Sequence, residues 1–268
     1  MKCIAVVEDN PDNRLLVQVI LEPFYQVVEY ESGFAALEGF RAKKPDLVLL
    51  DVSLPGLDGP EVLRRIRADD SLRNLPVIAL TAHAMAGDRQ RFVNAGFDDY
   101  VSKPIVEESI LLEAIRRQLP GESPLSAATA SGALPTTAPV PSDDTPTPSS
   151  PMDQAALTRL YRLGGQQFAL DMLDLFLSYG SEKLAEARLA WNGGNLEALA
   201  DSVHPIKSSA GNIGAIRIQN LCGAIEQAVK EQQTSSLEQQ LIDLERAFAD
   251  VRPHLESEKA RLSGKDLE

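Results

Sequence analysis

The sequence predicts two domains of different class: an α/β domain on a doubly wound parallel five-stranded sheet, then an all-α domain, an antiparallel four-helix bundle with a short helix before it. Three observations carry this. The chain has 268 residues, room for about two domains of ~100 to 200 residues. Residues 1–119 alternate short apolar runs with helix-period segments, whereas residues 152–268 hold helix-period segments and no convincing strand. Between them, residues 120–151 contain eight of the 17 prolines, with Ser, Thr and Ala and without Lys or Arg, the composition of a flexible linker.

In the first domain the apolar runs are Cys3 to Val7, Gln26 to Tyr30, Leu47 to Leu50, Val77 to Leu80 and Tyr100 to Ser102. The amphipathic stretches between and after them are Arg14 to Leu21, Ala35 to Arg41, Glu61 to Arg67, Asp88 to Ala95 and Glu108 to Leu119. Such alternation argues for parallel strands with helices on both faces. Leu47-Val48-Leu49-Leu50 lacks polar alternation, as a strand buried on both sides requires. Asn10-Pro11 supplies a cap and a first-turn proline, and Gly96 can supply a left-handed helix end. In the second domain apolar residues recur three and four apart in Leu157-Leu160-Tyr161, Leu170-Leu173-Leu177-Leu184, Leu196-Leu199-Val203-Ile206-Ala210, Leu221-Ile225-Val229 and Leu237-Leu241-Leu244-Phe248. Breaks are expected at Gly164-Gly165, Gly193-Gly194, Gly211 to Gly214 and Thr234-Ser235.

The net charge of −13 is the wrong sign for coating nucleic acid or an anionic membrane. It divides as −5, −3 and −5 over residues 1–119, 120–151 and 152–268, so neither domain is a basic tail. No stretch reaches the ~18 apolar residues of a membrane span, and Ile4 to Val7 stops at Glu8 too soon for a signal peptide. A cytoplasmic location is expected. Cys3 and Cys222, far apart and without a CxxC partner, exclude a disulfide framework or a zinc site and read as buried small hydrophobes.

In an open parallel sheet, ligands bind beyond the carboxyl ends of the strands. Glu8 and Asp9 close the first strand, Asp51 the third, Thr81 the fourth and Lys103 the fifth. Three carboxylates within a few ångströms repel one another by several kcal/mol unless a cation joins them. A hard divalent ion, Mg²⁺, answers that need, with Lys103 balancing the remaining charge and the Thr81 hydroxyl donating to a phosphoryl oxygen. Singly, each residue also reads as a cap, a turn, a strand residue or a solvated charge; together they describe a phosphoryl-transfer site.

Through VVEDN, LLDVSLPGLDG, ALTAHAM and DDYVSKP, residues 1 to about 119 resemble the response-regulator receiver domain of two-component signalling. The resemblance implies a flavodoxin-like sheet with Asp51 as phosphoacceptor. Asp9 and the Ser53 backbone carbonyl would join Asp51 on Mg²⁺, with Glu8 acting through water. Thr81 and Lys103 would contact the phosphoryl group, Lys103-Pro104 would be a cis peptide, and Tyr100 would be the aromatic that switches with phosphorylation. Ala82 leaves access to Asp51. His83 stands where the family varies its dephosphorylation rate, and by itself reads as an exposed loop histidine.

On a helix, the stripe Leu196, Leu199, Val203, Ile206, Ala210 places His204 about 120° and Ser208 about 160° from the buried direction. Both should point outward. Lys207 is the surface neighbour of His204, and Gly211 lies nearly in line with it. VHPIKSSAGNIGA, followed by LCGAIE, resembles the histidine phosphotransfer domain. That implies phosphorylation of His204 with Lys207 assisting electrostatically. Two residues depart from the family: Ser208 stands where glycine is usual, and Pro205 removes the hydrogen bond to the Asp201 carbonyl and should kink the helix. His254 reads as merely solvated.

The resemblances imply a phosphorelay protein whose Asp51 receives phosphate from a sensor histidine kinase or other phosphohistidine donor. His204 would exchange it with a receiver aspartate, on a downstream response regulator or within this chain through receiver–phosphotransfer contact. Neither domain carries a P-loop or kinase glycine-rich loop, so phosphate comes from outside. A flexible linker of this length spans ~30 Å on average, which permits internal transfer. Two other readings stand beside this one: a receiver-gated interaction or dimerisation module whose bundle is not phosphorylated, and an aspartyl-phosphate hydrolase. The hydrolase would need a DxD motif where this chain has Glu8-Asp9-Asn10.

Overall fold

The computed structural model describes residues 1–82, 88–119 and 152–264. His83 and the terminal Leu267-Glu268 lie outside these residues.

Strands β1 (Cys3–Val7), β2 (Gln26–Tyr30), β3 (Leu47–Asp51), β4 (Val77–Thr81) and β5 (Asp99–Ser102) form one parallel sheet in the order β2-β1-β3-β4-β5. Helices α1 (Pro11–Leu21), α2 (Gly33–Ala42), α3 (Gly59–Ala68), α4 (Asp88–Ala95) and α5 (Glu108–Gln118) connect or follow them. The strand pleat divides the core. Ile4, Val6, Leu47, Leu49, Ile78 and Leu80 face α1 and α5, whereas Ala5, Val7, Val48, Leu50, Val77 and Ala79 belong to the core with α2 and α3. β1, β3 and β4 are buried on both faces, as their unbroken apolar runs require.

Register determines what meets at the sheet's carboxyl edge. Val7 pairs with Leu50, Asp51 with Leu80, and Thr81 with Ser102, so Glu8, Asp51, Thr81 and Lys103 leave neighbouring strands on one side. Asn10 starts α1 there, its Oδ1 accepting the Asp12 N–H at 3.1 Å, with Pro11 at the first helical position. The Lys103-Pro104 peptide is cis, and Gly96 has φ +95° after α4, both as expected.

The remainder is helical: α6 (Gln154–Asn192), α7 (Leu196–Ile213), α8 (Ile216–Lys230) and α9 (Leu237–Leu262), with a single 3-10 turn at Thr234–Ser236. Gly165, at φ 75° and ψ −167°, divides α6 into the predicted short first helix and a long second one. Gly214 ends α7 in the left-handed conformation at φ 79°. Successive helices pack against each other, and α9 closes back on α6, giving the four-helix bundle with its leading short helix. α7 runs as one helix through Pro205, which is buried. Packing on both sides holds the turn that has lost its hydrogen bond.

The two domains are in contact. Helix α1 packs against α6 and α7, and the apolar core on the α1/α5 side of the sheet continues into the bundle. No helix among the described residues is long and apolar enough to cross a membrane. Cys3 and Cys222 are buried and unpaired.

Candidate functional site

Four charged side chains converge beyond β1, β3 and β5. Lys103 Nζ lies 2.5 Å from Glu8 Oε2 and 2.7 Å from Asp51 Oδ2, all three groups being buried. The Ser53 N–H donates to Asp51 Oδ1 at 3.0 Å. Burial pushes Asp51 up, but the Lys103 ammonium and the Ser53 N–H outweigh it and hold the carboxyl below its ordinary value. Burial lowers Lys103, and the charges of Asp51 and Glu8 more than reverse this, so the ammonium persists. Glu8 absorbs the conflict: burial, then repulsion from Asp51, pushes it up to about 8. Asp9 is raised by the same two causes in the same order.

One ammonium thus faces three acids. Glu8, Asp9 and Asp51 each offer an oxygen within 4.8 Å of the others. Hard oxygen donors at this spacing suit a divalent cation, which would relieve the repulsion that raises Glu8 and Asp9. Gly59 supports the site from behind, since a Cβ there would strike the Asp51 carbonyl oxygen and come within 2.8 Å of Val52 Cα. Thr81 is buried at the same edge, and its carbonyl accepts the Lys103 N–H at 2.7 Å. Tyr100 stacks on Phe92 at 5.7 Å between ring centroids.

Opposite this pocket stands α7. His204 Nδ1 is 2.6 Å from Glu226 Oε1, and Lys207 Nζ donates to Glu226 Oε2 at 2.6 Å. Bonded to a carboxylate, Nδ1 carries the proton, which leaves the Nε2 lone pair free. Nε2 is buried without a hydrogen-bond partner among the described residues. His204 lines a cleft of about 640 Å³ together with Asp9, Ser53, Asp58, Asp201 and Glu226. Burial raises Glu226, but its bonds to His204 and Lys207 outweigh that and keep it low.

Direct hydrogen bonds join the domains beside the cleft. Asn10 Nδ2 donates to the Pro205 carbonyl at 3.1 Å and to Ser209 Oγ at 2.9 Å. Asn212 Nδ2 donates to Asn13 Oδ1 at 2.7 Å. Gly211 lies against Pro104, whose Cγ would be 3.0 Å from a Cβ at that position.

The expectation that His204 and Ser208 face solvent is therefore corrected. They point away from the bundle's own core, but the second half of α7 lies between that core and the α/β domain, so Ser208 is buried and the His204 side chain is only 16% exposed. Lys207 does neighbour His204, through a shared carboxylate. Glu8 reaches Lys103 directly. His254 is exposed and, among the described residues, bonds the Asp250 carbonyl. Glu226, Asn10, Asn13 and Asn212 went unnoticed as site residues. A partial signal for Glu226 was present: it follows buried Cys222 by four residues and so flanks the same helix face.

Asp12 sits at this interface fully buried, with neither oxygen in a hydrogen bond of full geometry and Ser209 the opposing hydroxyl. Burial raises its carboxyl to about 6. A raised acid costs stability above its folded value and ceases to do so below its unfolded one. Asp12→Asn is therefore expected to raise urea resistance at pH 7.5 by up to about 3 kcal/mol, and hardly at all at pH 4. An equal gain at both pH values would refute this.

A parallel sheet of this order, with an acid pocket at its carboxyl edge and a histidine-bearing bundle behind it, defines a phosphoryl-receiving α/β domain joined to a helical phosphotransfer domain. Comparison with known proteins agrees: residues 4–116 match the response regulator receiver domain and residues 171–262 the Hpt domain. The chain belongs to the response-regulator receiver family and carries an Hpt domain in the same polypeptide. It is 34% identical over 244 residues to the signal transduction histidine-protein kinase BarA of Shigella flexneri, covering 90% of this chain and 25% of that protein. It is 32% identical over 256 residues to the sensor protein GacS of Pseudomonas syringae pv. syringae, covering 91% and 26%. The chain thus spans about a quarter of the length of these relatives. The receiver part is 42% identical over 105 residues to the polar-differentiation response regulator DivK of Brucella anthropi, covering 39% of this chain and 85% of that one. The two domain types are those of two-component phosphorelay proteins.

Proposed function

We propose that Asp51 and His204 exchange a phosphoryl group within this chain, in the docked arrangement of its two domains. One observation carries the reading: His204, whose Nε2 is buried and unpartnered among the described residues, lines one cleft with Asp9, and Asp9 and Asp51 offer oxygens within 4.8 Å of each other.

The Asp51 carboxylate oxygen attacks the phosphorus of a phosphohistidine on an outside donor, such as a sensor histidine kinase. An O–P bond forms as the donor's N–P bond breaks, and the product is an acyl phosphate. His204 Nε2 then attacks that phosphorus; the N–P bond forms, the O–P bond breaks, and the Asp51 carboxylate is restored. The proton on Nδ1 stays in its bond to Glu226, whose charge offsets the positive ring, while Lys103 beside Asp51 balances charge on the phosphoryl oxygens and Lys207 holds Glu226. Glu8, Asp9, Asp51 and the Ser53 carbonyl would hold Mg²⁺, which when bound neutralises charge on the phosphoryl oxygens. Thr81 donates to one of those oxygens, and Tyr100 and Pro104 sit where the receiver would register occupancy. From His204 the phosphate passes to the aspartate of a downstream response regulator. Two buried, unpaired cysteines suit a reducing compartment, the cytoplasm.

The test supplies labelled phosphate from a phosphohistidine donor to wild type, Asp51→Ala and His204→Gln. Wild type should carry acid-labile label on His204, His204→Gln base-labile label on Asp51, and Asp51→Ala none from this donor. Full-rate labelling of His204 in Asp51→Ala would overturn the internal relay.

A further inference from the structure

The Asn13 carboxamide lies between the domains with both ends committed. Its Nδ2 donates to Glu8 Oε1 at 2.9 Å, and its Oδ1 accepts from Asn212 Nδ2 at 2.7 Å. Asn13 and Asn212 are 6% and 1% exposed, so water cannot repair a mismatch. Glu8 Oε1 is the acceptor of this bond, and the other Glu8 oxygen, Oε2, lies 2.5 Å from the Lys103 ammonium. Glu8 therefore decides which end of the Asn13 amide turns toward the bundle, and that end is an oxygen. Only a donor on α7 pairs with it.

We infer that Asn13 selects its docking helix by hydrogen-bond polarity, a specificity role resting on the Asp51–His204 exchange proposed above. The contact is wired to the phosphoacceptor: Asn212 donates to Asn13, Asn13 to Glu8, and the Lys103 ammonium joins Glu8 to Asp51. Asn10 works beside it with the opposite polarity, its Nδ2 facing acceptors on α7, namely the Pro205 carbonyl and Ser209 Oγ. The receiver thus presents one amide donor and one amide acceptor, three positions apart on α1 and its cap, to a helix offering the complement. Asn212 lies eight residues after His204, about two turns along α7. An outside phosphohistidine helix that uses this face must carry a donor two turns beyond its histidine, and it competes with α7 for the same two asparagines.

The experiment uses the full chain. Asp51 is loaded from acetyl phosphate, and acid-labile label on His204 is followed with time. Asn212→Asp keeps the size of the side chain and replaces the donor by an acceptor; it should slow arrival at His204 on the order of ten- to a hundredfold, with loading of Asp51 within about twofold of wild type. Asn212→Leu, without polar atoms, repeats the test without adding charge and should also slow arrival. In an Asn13→Ala background, Asn212→Asp should cost little more, because the opposing oxygen is gone. Arrival at the wild-type rate in both Asn212 variants, or equal slowing of Asn212→Asp in both backgrounds, would overturn the inference. A wild type that loads Asp51 but never labels His204 would instead overturn the phosphotransfer reading itself.

Discussion

Lys103→Met is expected to destabilise the receiver domain by about 3–5 kcal/mol near neutral pH, the usual consequence of removing one partner of a buried ion pair. Methionine fills similar volume, so packing loss is small and the effect is electrostatic. Lys103 Nζ is the buried cation within hydrogen-bonding distance of both Glu8 and Asp51. Without it, two buried carboxylates face each other with Asp9 nearby, and Glu8 is already pushed up to about 8 while the ammonium is present. Glu8 then rises further in the folded state, and Asp51 loses the charge that holds it low. The sign follows: folded-state values above unfolded ones cost stability at high pH, and the cost fades as protons bind. Urea unfolding of wild type and variant should show the gap narrowing as pH falls from 8 to 5. Millimolar Mg²⁺ should recover part of it at pH 8, since a cation between the same oxygens replaces the missing charge. A gap that does not vary with pH would show that packing, not charge, is what Lys103 contributes.

Glu226→Ala is expected to slow phosphoryl arrival at His204 about ten- to a hundredfold while leaving the loading of Asp51 unchanged. The contact that holds the reacting ring is lost, from Glu226 to His204 Nδ1 at 2.6 Å; the bond to Lys207 Nζ goes with it but does not touch the ring. Hydrogen bonds to charged groups contribute ~1.5–3 kcal/mol, and each 1.36 kcal/mol on a barrier is tenfold in rate. The Nδ1 proton then has no assigned acceptor, and the ring can turn or carry its proton on Nε2 instead. Glu226→Gln should fall between, because the amide oxygen still accepts from Nδ1 while the charge facing Lys207 is gone. The measurement is a time course of acid-labile label after loading Asp51. Unchanged rates in Glu226→Ala would mean that His204 is oriented by the cleft alone.

Much of the fold was legible because its causes are local. Short unbroken apolar runs such as Leu47 to Leu50, bounded by turn residues, suit doubly buried strands, and the stripe from Leu196 to Ala210 suits a helix packed on a core. The acid pocket was legible for a related reason. Strand register carries residues at strand ends to one edge, so Glu8, Asp51, Thr81 and Lys103 needed only the sheet to meet. His204 illustrates the boundary. Its direction relative to the bundle core follows from helical periodicity, but periodicity knows one packing partner, and α7 has two. Ser208 and His204 were read as exposed because the second partner lies in the other domain.

What the sequence by itself determined is the pair of domains, the five strands and their ends, the acidic cluster, and the histidine with its neighbouring lysine. All depend on residues close in the chain or placed by a regular element. The tertiary structure alone decided that α7 faces the acid pocket, that Glu226 holds the imidazole, and that Asn13 meets Asn212 with a fixed polarity. Those contacts join positions as far as 199 residues apart. Their chemistry depends on the direction of single hydrogen bonds, which neither periodicity nor composition encodes.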